Sequence, residues 1–211
     1  MKEFFKFIFE VIRISVIALA IVIPIRYFLI QPFFVKGASM EPNFEDNEYL
    51  VIDEISYRFR EPKRGEVIVF KYPYDPRDYY IKRIIGLPGE TIEIKDNQVI
   101  IYNSDNPEGK ILNESNYLTP EARFHTQRDK DIKIMLESDE YYVMGDNRKV
   151  SSDSRTWGKL EKKFITGRVW LRAWPLNRIS VFKNPAYNNF LIDYIENKDL
   201  EKLMPRYFLN I

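Results

Sequence analysis

Apolar residues crowd positions 4–30, and positions 14–25 carry no charge. That uncharged run is short for a membrane span, since a crossing helix needs about 20 mainly apolar residues. Positions 7–29 supply the length and take in Glu10, Arg13 and Arg26. Both arginines sit near the ends, where a long side chain can reach the headgroups. The pattern predicts an N-terminal transmembrane helix within residues 1–30 that anchors the chain. No small-x-small cleavage signal follows Ile25, and the chain turns aromatic at Tyr27, Phe28, Phe33 and Phe34. An uncleaved anchor is therefore preferred to a removed leader. Lys2, Lys6 and Arg13 on one flank, against Arg26 and Lys36 on the other, favour a cytoplasmic N-terminus.

Beyond Gln31 the pattern changes to short runs rich in Val, Ile, Tyr and Phe, broken by Pro, Gly, Asp and Asn. Strands are predicted at 48–52, 66–72, 79–85, 91–95, 98–102, 141–144 and 167–173. Asp96-Asn97 separates two of them and reads as a hairpin turn. Residues 104–133 are polar and weakly patterned, as in a loop or cap. With no strong helical periodicity here, residues 31–180 are expected to form a mostly β, antiparallel domain. In the tail, 181–211, Phe190, Leu191, Tyr194, Ile195, Leu200, Leu203 and Met204 recur at helical spacing up to Pro205. A short amphipathic C-terminal helix is expected there.

Charge and composition remove several kinds of chemistry. The chain has 32 Lys+Arg against 31 Asp+Glu, without the basic excess expected of a nucleic-acid binder. It has no cysteine, which excludes disulfides, thiolate catalysis and Cys-ligated zinc. A single histidine, His125, cannot build a His-rich metal site, and its polar surroundings suit a solvated loop residue. Neither a metal nor a cofactor is expected. Lysine becomes the natural candidate for a catalytic base.

Gly37-Ala38-Ser39-Met40-Glu41-Pro42 places one serine among small residues just beyond the anchor. A serine in such a turn is commonly structural, and as a nucleophile it needs a base to take its proton. Tyr80-Ile81-Lys82-Arg83-Ile84-Ile85 supplies a lysine inside an apolar strand. On an inward face, desolvation lowers a lysine's pKa, whereas on an edge it is an ordinary solvated residue. Gly145-Asp146-Asn147-Arg148-Lys149-Val150-Ser151-Ser152-Asp153-Ser154-Arg155 is a dense polar loop after a strand. It could remain hydrated, or it could orient the amine and brace the site.

Those three stretches, with Gln31-Pro32-Phe33 and Arg64-Gly65-Glu66-Val67-Ile68-Val69-Phe70, occur in one order behind the anchor. Together they resemble the bacterial type I signal peptidases, membrane-anchored Ser-Lys serine proteases, over about residues 26–174. The resemblance implies a mostly antiparallel β fold on the extracytoplasmic side of a bacterial membrane, with exported preproteins and membrane lipid as partners. It makes Ser39 the nucleophile and Lys82 the general base. Ser151 would hold the lysine amine, and Asp153 and Arg155 would pair and support the loop. Phe33, Val35, Tyr80 and Ile81 would line the substrate cleft, with Met40 and Phe44 closing the pocket for the residue before the cut. Gly37 stands where some members carry a serine that helps the oxyanion hole. Lys149-Val150 departs from the commoner Asp-Asn, and the tail beyond Val181 has no counterpart.

Two other functions fit parts of this pattern. A self-cleaving Ser-Lys regulator would share the dyad but carry a DNA-binding domain in place of an anchor. A silent membrane-tethered module would not need Ser39, Lys82 and Ser151 together. Ser180-Val181-Phe182-Lys183 and Ser104-Asp105-Asn106 imitate penicillin-binding motifs, but in reversed order and without K-T-G.

Overall fold

The computed structural model describes the backbone at residues 2–28 and 30–182 and side chains at 3–20 and 32–182. The expected tail helix lies outside the described residues. The N-terminal segment is one helix, α1 (Lys2–Phe28). Every described side chain on it is exposed, Phe4, Phe5, Phe7 and Phe9 at 64%, 66%, 66% and 69%. Among the described residues no helix is long and apolar enough to cross a membrane. The described side chains of α1 end at Ala20 and include Glu3, Lys6, Glu10 and Arg13.

The rest is mostly antiparallel β-sheet, as the alternating runs predict. In chain order come β1 (Ile30–Phe34), β2 (Tyr49–Asp53), a one-turn helix α2 (Ser56–Phe59), β3 (Val67–Tyr72) and β4 (Asp75–Gly86). Then follow β5 (Thr91–Lys95), β6 (Gln98–Asn103), β7 (Asn106–Ile111), α3 (Pro120–Arg123), β8 (Ile132–Met135) and β9 (Glu140–Met144). The described chain closes with α4 (Ser154–Trp157), β10 (Leu160–Glu161), β11 (Ile165–Trp174) and β12 (Ser180–Val181). The larger sheet runs β1-β2-β11-β3-β4-β9-β10, with β12 on β11, and the smaller runs β7-β6-β5-β8.

The seven predicted strands all form. Asp96 and Asn97 make the expected hairpin turn, both with positive φ (51° and 59°), as a two-residue connection requires. The polar segment 104–133 departs from the loop prediction: it contributes β7, α3 and the start of β8, and its Glu114 and Thr126 reach Arg148 in the loop after β9. Thr119 caps α3 by accepting from the Ala122 N–H, with Pro120 in the first turn.

Strand β4 is interior to the larger sheet, and its second half, 82–86, is closed in on both faces. Ile84 packs with Ile68, Phe70, Tyr141, Val143 and Leu160, while Ile85 packs with Ile92, Ile94, Leu136 and Tyr142 towards the smaller sheet. A third cluster, Val35, Met40, Phe44, Leu50, Ile52, Val67, Val69 and Val169, lies beneath the turn that carries Ser39. A charged side chain in this half of β4, Lys82 or Arg83, is therefore dehydrated whichever way it points.

Candidate active site

Ser39 sits in a tight turn between β1 and β2, closed by Glu41 N–H to Ala38 O (3.2 Å) and Phe44 N–H to Met40 O (3.0 Å). Met40 and Phe44 are both 0% exposed and drive into the core beneath it. Both were expected to close a substrate pocket. They sit in the core cluster beneath the turn that leaves Ser39 half-buried at its surface, against Val35, Leu50 and Val69. At the head of the turn Gly37 has φ +86°, and its N–H donates to Asp46 Oδ1 at 2.7 Å. A side chain is strained at that backbone angle whatever room surrounds it.

Lys82 reaches the same point from β4, 43 residues away. Its Nζ lies 2.8 Å from Ser39 Oγ and donates to the Ile81 carbonyl at 2.8 Å. The side chain is only 3% exposed. Burial pushes the amine down to about 8, against the upward pull of Asp153 and Asp146 and with a smaller downward push from Arg155. About a tenth of such an amine is neutral at pH 7, against well under about 0.1% for an ordinary lysine. The buried face of β4 thus makes Lys82 able to accept a proton.

The loop after β9 closes the site from the other side. Asn147 N–H donates to the Ser39 carbonyl at 3.0 Å. Gly145 allows that approach, because a Cβ there would lie 2.2 Å from Ser151 Oγ and 2.4 Å from Ser39 O. Asp153 accepts from the Gly145 N–H (3.0 Å) and from Arg155 Nε (2.8 Å) and Nη2 (2.7 Å). Burial alone would raise the Asp153 pKa, but the Arg155 hydrogen bonds and charge hold it below the usual carboxylate range. Arg155 also donates to the carbonyls of His125, Thr126 and Arg148. The pair therefore ties the loop to β9 and to the carbonyls of residues 125 and 126. Ser151 Oγ is buried beside Gly145 without a partner in hydrogen-bonding geometry, though close enough to Asp153 to favour its ionised form. No bond from Ser151 to the Lys82 amine forms here, which differs from the role expected of it. His125 is half-buried, and its contribution is its carbonyl.

Two buried ion pairs complete the frame and were not foreseen. Arg83, next to Lys82, forks onto Asp146 (Nε–Oδ1 2.8 Å, Nη2–Oδ2 2.6 Å), stacks 4.1 Å from the Tyr117 ring and donates to Gly65 O. Asn43 also donates to Asp146 at 2.9 Å, tying the Ser39 turn to the same carboxylate. Arg148, fully enclosed, binds both oxygens of Glu114, Thr126 Oγ1 (2.7 Å) and the Gly145 carbonyl (3.1 Å). Burial alone would lower its pKa, and the Glu114 carboxylate raises it instead. Arg83 and Asp146 belong to the quoted motifs, so their proximity to Lys82 and Ser151 was a usable signal. Glu114 and Thr126 lie in an unpatterned polar stretch that gave none.

A cleft of about 860 Å³ runs along β1 and β4 to the Ser39–Lys82 contact. Phe33, Val35, Tyr80 and Ile81 line it, joined by Leu50 and Val69, which periodicity marks only as core. Among the described residues no group of three or more His, Cys, Asp or Glu side chains is placed to hold a metal ion. A nucleophile, a dehydrated amine in contact with it and an apolar cleft on one side can support acyl transfer from an extended peptide.

The pattern of one protein family, described as "Signal peptidase, peptidase S26", matches residues 8–174. Among individual proteins, the chain is similar to a probable signal peptidase I-2 of Synechocystis, 34% identical over 84% of this chain and 78% of that one. It is similar to signal peptidase IB of Staphylococcus aureus, 30% identical over 87% of this chain and 96% of that one. A crystal structure of a signal peptidase I from Enterococcus faecalis matches at 26% identity and a TM-score of 0.41, covering 52% of this chain and 97% of that one.

Proposed function

The chain belongs to the signal peptidase family, peptidase S26, and from that membership we propose that Ser39 and Lys82 are its nucleophile and general base. The enzyme is a serine endopeptidase that cleaves signal peptides from preproteins. The observation that carries the residue assignment is the 2.8 Å contact between Ser39 Oγ and a lysine amine that burial holds near 8. Neutral Lys82 takes the hydroxyl proton as Oγ attacks the scissile carbonyl. The ammonium so formed gives that proton to the leaving amine. Lys82 then activates water, which hydrolyses the acyl-enzyme and returns Ser39 to its starting state.

The oxyanion hole rests on the Ser39 N–H, since Gly37 offers no hydroxyl and its own N–H is engaged by Asp46. Asp46 fixes the turn rather than touching substrate. Val35, Leu50, Val69 and Ile81 give shallow apolar walls suited to small side chains at the first and third positions before the bond. Helix α1 serves as a single-pass anchor with the β domain on the extracytoplasmic side. Its 27 residues extend roughly 40 Å at 1.5 Å per residue, and its exposed phenylalanines and aliphatic residues find no protein partner along 3–20. Lipid is the partner that would remove them from water.

Wild type should cleave a purified preprotein carrying Ala at both positions, and Ser39→Ala should not. Phe in place of Ala directly before the bond should cut cleavage by at least ~100-fold, because an overfilled rigid pocket displaces the carbonyl from attack geometry. Cleavage by Ser39→Ala, or efficient cutting after Phe, would overturn the reading.

A further inference from the structure

A second depression of about 580 Å³ lies beside the cleft and shares Val150 and Ser152 with it. These two residues flank Ser151, whose Oγ packs beside Gly145 and the Ser39 carbonyl. They therefore stand at the Ser39 end of the cleft, opposite the end bounded by Arg77 and Asp78 on β4. A peptide whose residues before the bond lie between β1 and β4 would meet Val150 and Ser152, which border both spaces, as it continues past Ser39. Its next residues then enter the second depression.

The lining there is polar and carries more cation than anion. Lys149 is exposed and makes no hydrogen bond or ion pair with the described residues. Arg128 is exposed and donates to Thr156 Oγ1 and the Ser151 carbonyl, leaving its charge without a carboxylate. Asp129 is the one acid in the lining, and the Arg148 charge is already neutralised by Glu114.

We propose that this depression receives the first residues after the scissile bond, and that Lys149 and Arg128 select acidic side chains among them. This rests on the Ser39–Lys82 reading, and adds a charge preference on the leaving side of the substrate. A solvent-facing lysine near a flexible peptide gives a modest and salt-sensitive effect, about five-fold per reversed charge at low ionic strength.

The test uses the full-length enzyme in detergent and three peptides with Ala at the first and third positions before the bond. They differ only at the second to fourth positions after it, which are all Asp, all Lys or all Ser. Wild type should show kcat/KM for the Asp peptide about five-fold or more above the Lys peptide, with the gap closing in 0.5 M salt. Lys149→Glu should invert that ratio. Equal rates on the Asp and Lys peptides in wild type, or a ratio unmoved in Lys149→Glu, would overturn the inference while leaving the dyad intact. A wild type that cuts none of the three, the Ser peptide included, would overturn the dyad reading and the inference with it.

Discussion

Lys82→Met is expected to abolish turnover and, at the same time, to raise the melting temperature at pH 7. The first effect follows because, among the described residues, no other side chain is hydrogen-bonded to Ser39 Oγ, and loss of the base of a serine protease typically costs ~10⁴-fold or more in kcat. Lys82→Arg should be as inactive, since a guanidinium stays protonated. The second effect follows from the cost of burial. The amine falls from 10.5 to about 8 on folding, and at about 1.4 kcal/mol per unit that is about 3–4 kcal/mol against the charged form. Methionine of similar length removes that cost but leaves the Ile81 carbonyl without its donor, so the net gain is about 1–2 kcal/mol. A chain of this size should melt about 2–8 °C higher. The pH dependence has a definite sign. Between about 8 and 10.5 the unfolded lysine binds the proton that the folded one has released, so wild-type stability rises with pH across that window. The advantage of Lys82→Met is therefore full below about 8 and fades towards 10.5. Melting curves at pH 7 and pH 10 check it, and a variant less stable than wild type at pH 7 would show that the amine is not held under strain.

Glu114→Ala is expected to destabilise the fold by about 3–5 kcal/mol, because it leaves the Arg148 guanidinium buried and unpaired. Arg148 is 0% exposed at its side chain and Glu114 4%, and Tyr117 Oη also loses its 2.6 Å acceptor. Activity should fall further than stability alone explains. Arg148 Nε holds the Gly145 carbonyl at 3.1 Å, and Gly145 fixes the approach of the loop to Ser39. Replacing both partners by Met should recover most of the lost stability, since an apolar pair leaves no buried charge. It should leave kcat depressed, with KM little changed, because replacing Arg148 takes the Nε donor from the Gly145 carbonyl. Denaturant unfolding and steady-state kinetics on the single and double variants separate the two effects. A loss under about 1 kcal/mol in Glu114→Ala would show that the pair does not organise the loop.

Alternation along the chain located the interior strands because each buries Val, Ile or Tyr on at least one face. It missed β1 because Gln31-Pro32 interrupts the pattern. Proline is tolerated there since β1 is an edge strand with only β2 beside it. It missed β7, Asn-Pro-Glu-Gly-Lys-Ile, which has almost no apolar content and holds its place by pairing with β6. The period also could not show that β4 is buried on both faces. Ile84 and Ile85 are both 0% exposed, and that enclosure, contributed by two different clusters, is what dehydrates Lys82.

The site followed a similar division. Ser39, Lys82, Asp153 and Arg155 were legible because their chemistry lies in short recognisable stretches. Met40 and Phe44 show what sequence leaves open, because an apolar residue next to such a serine looks the same whether it lines a pocket or anchors a turn. Glu114 was invisible for a different reason. A carboxylate in a polar segment reads as hydrated, and only the fold brings it to Arg148 across 34 positions.

The central claim, that neutral Lys82 takes the Ser39 proton, is tested most directly by kcat/KM against pH on the wild-type enzyme with a short peptide. The free enzyme should gain activity about tenfold per pH unit at low pH and level off through a single ionisation near 8. A profile that is flat from pH 6 to 10, or whose rising limb sits near 10.5 as for a solvated lysine, would contradict it.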